Sequence, residues 1–115
     1  MALYGPATRE LSLNAAFFAD TSAHNGIAVN IGDCVDYVVE ITNSLNQAGN
    51  TQIQWSIDGT NWNNLGTTIA SAATTNLLSA VAAPRPSFGF LRAVYTATVA
   101  PASGSITVAI HKRFM

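Results

Sequence analysis

Thr51-Gln52-Ile53-Gln54-Trp55-Ser56-Ile57-Asp58-Gly59 alternates polar and apolar side chains without a break until it meets a turn dipeptide. A period of two places Ile53, Trp55 and Ile57 on one face and Gln52, Gln54 and Ser56 on the other, which is the pattern of a half-buried strand. Asp58-Gly59 closes it, since glycine accepts the positive φ that tight turns require. Residues 33–42 repeat the pattern with Val35, Tyr37, Val39 and Ile41. Residues 105–113 repeat it again, with Ile106, Val108 and Ile110 inward and Thr107, Ala109 and His111 outward. The predicted core is therefore Val35, Tyr37, Val39, Ile53, Trp55, Ile57, Ile106, Val108 and Ile110.

Outward from these three runs the signals weaken. Leu11, Leu13, Ala15 and Phe17 alternate, as do Ile27, Val29 and Ile31. Residues 67–70 and 74–78 read as further strands, and 90–98 as another whose buried face the sequence leaves open. Pro84 and Pro86 predict a loop, because neither donates to a ladder. The best rival for a helix, residues 70–83, has Thr74-Thr75-Asn76 at its centre, a poor helix former. About eight short strands separated by turn signals predict an all-β, antiparallel β-sandwich or jelly-roll-like single domain. Residues 1–9 contain Gly5 and Pro6 and no period, and are expected to form an extended N-terminal arm on a domain spanning 10–115.

The 115 residues suit one domain. Only 10% are charged, against about 25% in ordinary soluble domains, and Lys112 is the only lysine. Net charge is −1, and no basic stripe offers a footprint for nucleic acid. Apolar stretches are short and interrupted, so no membrane span is expected, and the first residues lack the basic patch, apolar core and cleavage site expected of a signal peptide. A surface of Thr, Ser, Asn, Ala and Gly gains little protection from charge repulsion, which suits a surface covered by partners.

Catalytic and metal chemistry finds few candidates. Cys34 is the only cysteine, which rules out an internal disulfide, and it reads as a small buried hydrophobe; Asp33 and Asp36 would raise its pKa rather than activate it. His24 and His111 lack metal-ligand spacing and read as solvated or interface residues. Asp33 and Asp36, at i and i+3 of a strand, would not converge. Asp58-Gly59-Thr60-Asn61 supplies one carboxylate, too few for calcium, and reads as a plain turn. Trp62 could stack on a sugar, but core or semi-core packing against Trp55 is the simpler reading. No cofactor, metal or catalytic residue is expected.

The run Gln52-Ile53-Gln54-Trp55-Ser56-Ile57-Asp58-Gly59-Thr60-Asn61-Trp62, then Phe90-Leu91-Arg92-Ala93-Val94-Tyr95-Thr96, then Pro101-Ala102-Ser103-Gly104-Ser105-Ile106-Thr107-Val108, resembles small β-sandwich virion proteins of tailed bacteriophages, of the capsid decoration (cement) type. The resemblance covers residues 51–112. It implies a non-enzymatic structural protein, assembled in a host cytoplasm, that binds the outside of the shell and bridges coat subunits. Its expected partners are the major capsid protein or other virion proteins. A homotrimer is implied too, because decoration proteins often occupy threefold axes. The alternatives are a tail, neck or fibre accessory protein and a carbohydrate-binding β-sandwich module. Leu3, Tyr4 and Arg9 are the predicted interface residues: the first nine residues have no partner within a local hairpin, and Tyr4 and Arg9 are of types enriched at interfaces.

Overall fold

A computed structural model describes residues 7–15, 20–79 and 86–114. Within them the chain is all-β, with ten strands in two antiparallel sheets, an arrangement compatible with a β-sandwich. The four-stranded sheet runs β1 (Ala7–Ala15), β10 (Ile106–Arg113), β4 (Asp36–Asn43), β8 (Thr75–Ser79). The six-stranded sheet runs β2 (His24–Asn25), β9 (Phe90–Ala97), β5 (Gly49–Ser56), β6 (Asn63–Asn64). To it are added β3 (Val29–Asn30), paired with β9, and β7 (Ile69–Ser71), paired with β5.

The alternation read from the sequence explains the core. β4 buries Tyr37, Val39, Ile41 and Asn43, and β10 buries Ile106, Val108 and Ile110. From the other sheet come Ile53, Leu91, Ala93, Tyr95 and Ala97, which settles the inward face of β9. All of these but the polar Asn43 form one apolar cluster with Leu13, Val29, Ile31, Leu45 and Leu65.

Three predicted core positions differ. Val35 is 49% exposed and Ile57 66% exposed, while Trp55 is half-buried at the margin of the core. The physical reason is where pairing stops. The β4 ladder begins at Asp36 and the β5 ladder ends at Ser56. The alternation runs one residue past each end, into positions the facing sheet does not cover. Trp55 instead donates its indole N–H to Phe88 O at 2.7 Å and meets the Phe88 ring edge-on.

The start of the chain also differs. Ala7, Thr8 and Arg9 are ladder residues, opposite Arg113, Lys112 and His111. Only residues 1–6 of the predicted arm are left, and they lie outside the described residues.

Ser12 is one of the residues that tie the two sheets together. The β1–β10 register shifts between Leu11 and Leu13, so Ser12 is the extra residue of a bulge. The bulge turns Ser12 into the second sheet. Its Oγ accepts from Ala93 N at 2.9 Å and donates to Ile27 O at 2.8 Å, while its carbonyl accepts from Ile27 N at 2.6 Å. Gly26 permits this approach, because a Cβ there would lie 2.5 Å from Ser12 O. Ser12→Ala is expected to cost about 1–3 kcal/mol, since it strips the buried Ala93 N–H of its acceptor. Denaturant midpoints check this, and a cost within the roughly 0.5 kcal/mol of an ordinary surface change would remove the stitch from the account.

Candidate interaction surface

Several elements end together. Val35 N donates to Arg113 O, Tyr37 Oη donates to Pro86 O, and Ser56 pairs with Phe90. Ala7 pairs with Arg113 and Arg113 with Asp36. The starts of β1, β4 and β9 and the ends of β5 and β10 therefore share one end of the molecule. At that end Val35, Ile57 and Phe88 (56% exposed) present apolar side chains to solvent. A small pocket of about 130 Å³ opens there between Cys34, Val35, Tyr37 and Pro86.

Cys34 is half-buried rather than enclosed, and its thiol donates to Ile31 O at 3.2 Å. Burial pushes its pKa up, and the nearby Lys112 charge only partly opposes this. A thiol held protonated is a poor nucleophile.

Of the predicted interface residues, Leu3 and Tyr4 lie outside the described residues. Arg9 stands on the outer face of the first sheet, opposite His111. Its Nε lies 3.4 Å from Glu40 Oε1, and His111 Nε2 lies 3.3 Å from the same oxygen. The hydrogen bond from His111 is the main cause holding the Glu40 carboxyl below its ordinary range, with Arg9 adding to it. Arg9 is thus engaged within its own sheet and only part of its guanidinium faces outward.

His24 is held by Asp20, 2.6 Å away, and that bond lowers the Asp20 pKa. Asp58 is the hub of its turn. Its Oδ1 accepts from Ser56 Oγ, Thr60 N and Asn61 N, and its Oδ2 accepts from Asn61 Nδ2, each at 2.9 Å. The donors from Asn61 and Thr60 hold this carboxyl well below its usual range. The carboxylate is saturated by the turn itself. Among the described residues no three His, Cys, Asp or Glu side chains come together as a metal-holding group. Trp62 is half-buried, and the Arg92 guanidinium stacks on its ring, 4.4 Å from the centroid.

The side chain that sequence reasoning missed is Lys112. Its side chain is 1% exposed, and Nζ reaches Glu10 Oε1 at 2.8 Å, Asp33 Oδ1 at 2.9 Å and Asn30 O at 2.8 Å. Burial disfavours its charge, but the bonds to Glu10 and Asp33 outweigh this and hold its pKa above the ordinary value. The signal was present: Lys112 is in phase with Ile106, Val108 and Ile110.

No protein-family model matches this chain, and no curated protein matches it either.

Proposed function

We propose that this chain is a non-enzymatic virion structural protein of a tailed bacteriophage, a decoration protein that binds the outside of an assembled capsid and bridges coat subunits. The observation that carries the reading is the apolar end: Val35, Ile57 and Phe88 are exposed together where β1 begins, on a chain with only eleven Asp, Glu, Lys and Arg residues in all (5 + 6). Exposed apolar side chains grouped in one place mark an interaction site more often than scattered ones do. The motif resemblance over residues 51–112 supplies the partner class.

In this reading the fold is a β-sandwich with jelly-roll-like wrapping. Residues 1–6 are the arm, with Leu3 and Tyr4 as its contact residues and Arg9 at its root. The molecule assembles in the host cytoplasm and acts on the capsid surface, as a homotrimer, against the major capsid protein. No reaction occurs. Each bridge removes apolar surface from water at about 25 cal/mol per Å², and that contact area opposes outward pressure from packaged DNA.

Cryo-electron microscopy of purified particles tests the proposal. Copies distributed over the shell are expected; copies confined to the neck, tail or fibres would instead make it an accessory protein of those parts. Deletion of residues 1–6, which spares the β1 ladder, is expected to lower occupancy on the shell and oligomeric mass in solution. Full occupancy and unchanged mass after deletion would exclude the arm.

A further inference from the structure

The outer face of the six-stranded sheet carries rows of amide side chains around one arginine. Asn64, Gln54 and Arg92 lie in one row across β6, β5 and β9. The next row is Gln52, Val94 and Asn25, and the next contains Asn50 and Thr96. All are half-buried or exposed. The first row is bonded along its length: Arg92 Nε donates to Gln54 Oε1 at 2.9 Å, and Gln54 Nε2 donates to Asn64 Oδ1 at 3.0 Å. Arg92 also stacks on Trp62 at the edge of the row. Among the described residues, Nε is the one guanidinium nitrogen of Arg92 that is hydrogen-bonded, so its two terminal nitrogens remain as donors. None of these rows contains a carboxylate.

We propose that this face binds a linear polysaccharide carrying uronic acid carboxylates. Gln52 Nε2 is already held by Ile53 O, Leu65 O and Gly66 O, but side-chain amides both donate and accept, and those of Asn25, Asn50 and Asn64 match the hydroxyls of a sugar. A guanidinium already fixed by a ring and a neighbouring amide presents its fork to a carboxylate with little further loss of freedom. Trp62 adds an apolar plane beside it, against which the C–H face of a pyranose packs. Other occupants fit less well. The centre of a protein interface is apolar, whereas Val94 is the one aliphatic side chain longer than alanine in these rows. Nucleic acid needs several phosphate contacts, and among the described residues these rows hold one cation, Arg92. That cation is also the reason to choose an acidic over a neutral chain, and an extended sheet face suits a strand laid across it.

The inference is independent of capsid binding, and isolated protein tests it. The whole chain is run in native gels containing polygalacturonate or neutral dextran. At a net charge of −1, general attraction to a polyanion is not expected, so retardation must come from a local site. Polygalacturonate is expected to retard the protein and dextran not to. Arg92→Gln is expected to weaken retention roughly tenfold, the loss of a charge-assisted pair. Arg92→Lys, which keeps the charge but not the fork, is expected to weaken it less, and it replaces the Gln variant if that one loses its β circular dichroism. Trp62→Phe is expected to abolish the fluorescence change on binding, leaving Trp55 as a silent reporter. Arg113→Gln, on the other sheet, is expected to bind as the wild type does. No retardation, equal retardation by dextran, undiminished binding by both Arg92 variants, or an equal loss with Arg113→Gln would each overturn the proposal.

Discussion

Tyr95→Ala is expected to remove about 3–5 kcal/mol of stability, the cost of deleting a large core aromatic, while Tyr95→Phe is expected to leave stability unchanged or raise it. Tyr95 is 0% exposed at the middle of the inward row of β9, directly opposite Thr51. Among the described residues, neither its hydroxyl nor Thr51 Oγ1 has a partner within hydrogen-bonding geometry. The nearby Asn43 amide is committed elsewhere, donating to Ser71 Oγ and Ala72 O at 3.2 Å. Burial accordingly pushes the Tyr95 pKa up, with only partial opposition from Asn43. The ring supplies the stability and the oxygen costs some of it, because a buried hydroxyl without a partner loses its hydration for nothing. Urea denaturation of both variants decides the matter. A Phe variant weaker by more than about 1 kcal/mol would show that the hydroxyl is bonded after all.

Lys112→Ala is expected to cost about 3 kcal/mol, the low end for breaking a buried ion pair, because Glu10 and Asp33 are partly exposed and water replaces some of what they lose. Lys112→Met is expected to cost less, since a stem of similar length still fills the end of the inward row, next to Ile110. Alkali separates charge from packing. The folded pKa of Lys112 is raised above 10.5. Its charge therefore contributes in full below 10.5, and that contribution fades as pH climbs through the folded value. Melting temperatures from neutral pH upward should show wild type and Lys112→Met converging at the alkaline end. A gap that stays constant there would mean that Lys112 acts through its stem alone.

Much of this architecture was legible because strands with one buried face write it as a period of two. Tyr37, Val39, Ile53, Ile106, Val108 and Ile110 were readable as core for that reason. The same signal carries no mark of where a ladder stops, so Val35 and Ile57 read as core although each stands one residue beyond the pairing. Leu11 and Leu13 alternate cleanly across the bulge, and nothing in that alternation distinguishes Ser12 from an outward-facing serine. The face of β9 was undecided because Leu91, Ala93 and Tyr95 compete with Arg92 and Val94, and long side chains such as arginine lie along a sheet without being core. Lys112 was hidden by its type: a charged residue in an inward row reads as surface unless its carboxylate partners, which lie 79 residues away at Asp33 and on β1 at Glu10, are known. For the candidate interaction surface the sequence named Leu3, Tyr4 and Arg9, but not the three exposed apolar side chains that the ends of separate strands bring together.

The pairing of β1 with β10 also sets how the protein carries a mechanical load. Ala7 and Arg113 face each other at the same end of the ladder, and the register runs on to Ala15 and Ile106. Tension applied between the two ends of the chain opens these pairs one after another, as a zipper opens, and meets little resistance. Tension between Ala7 and the far end of the molecule drags β1 lengthwise along β10, so that every pair and the Ser12 cross-connection resist together. The direction of pull, as much as its strength, decides what yields: a molecule tethered by its first strand and loaded through its body is stiff, and one stretched between its two ends is soft.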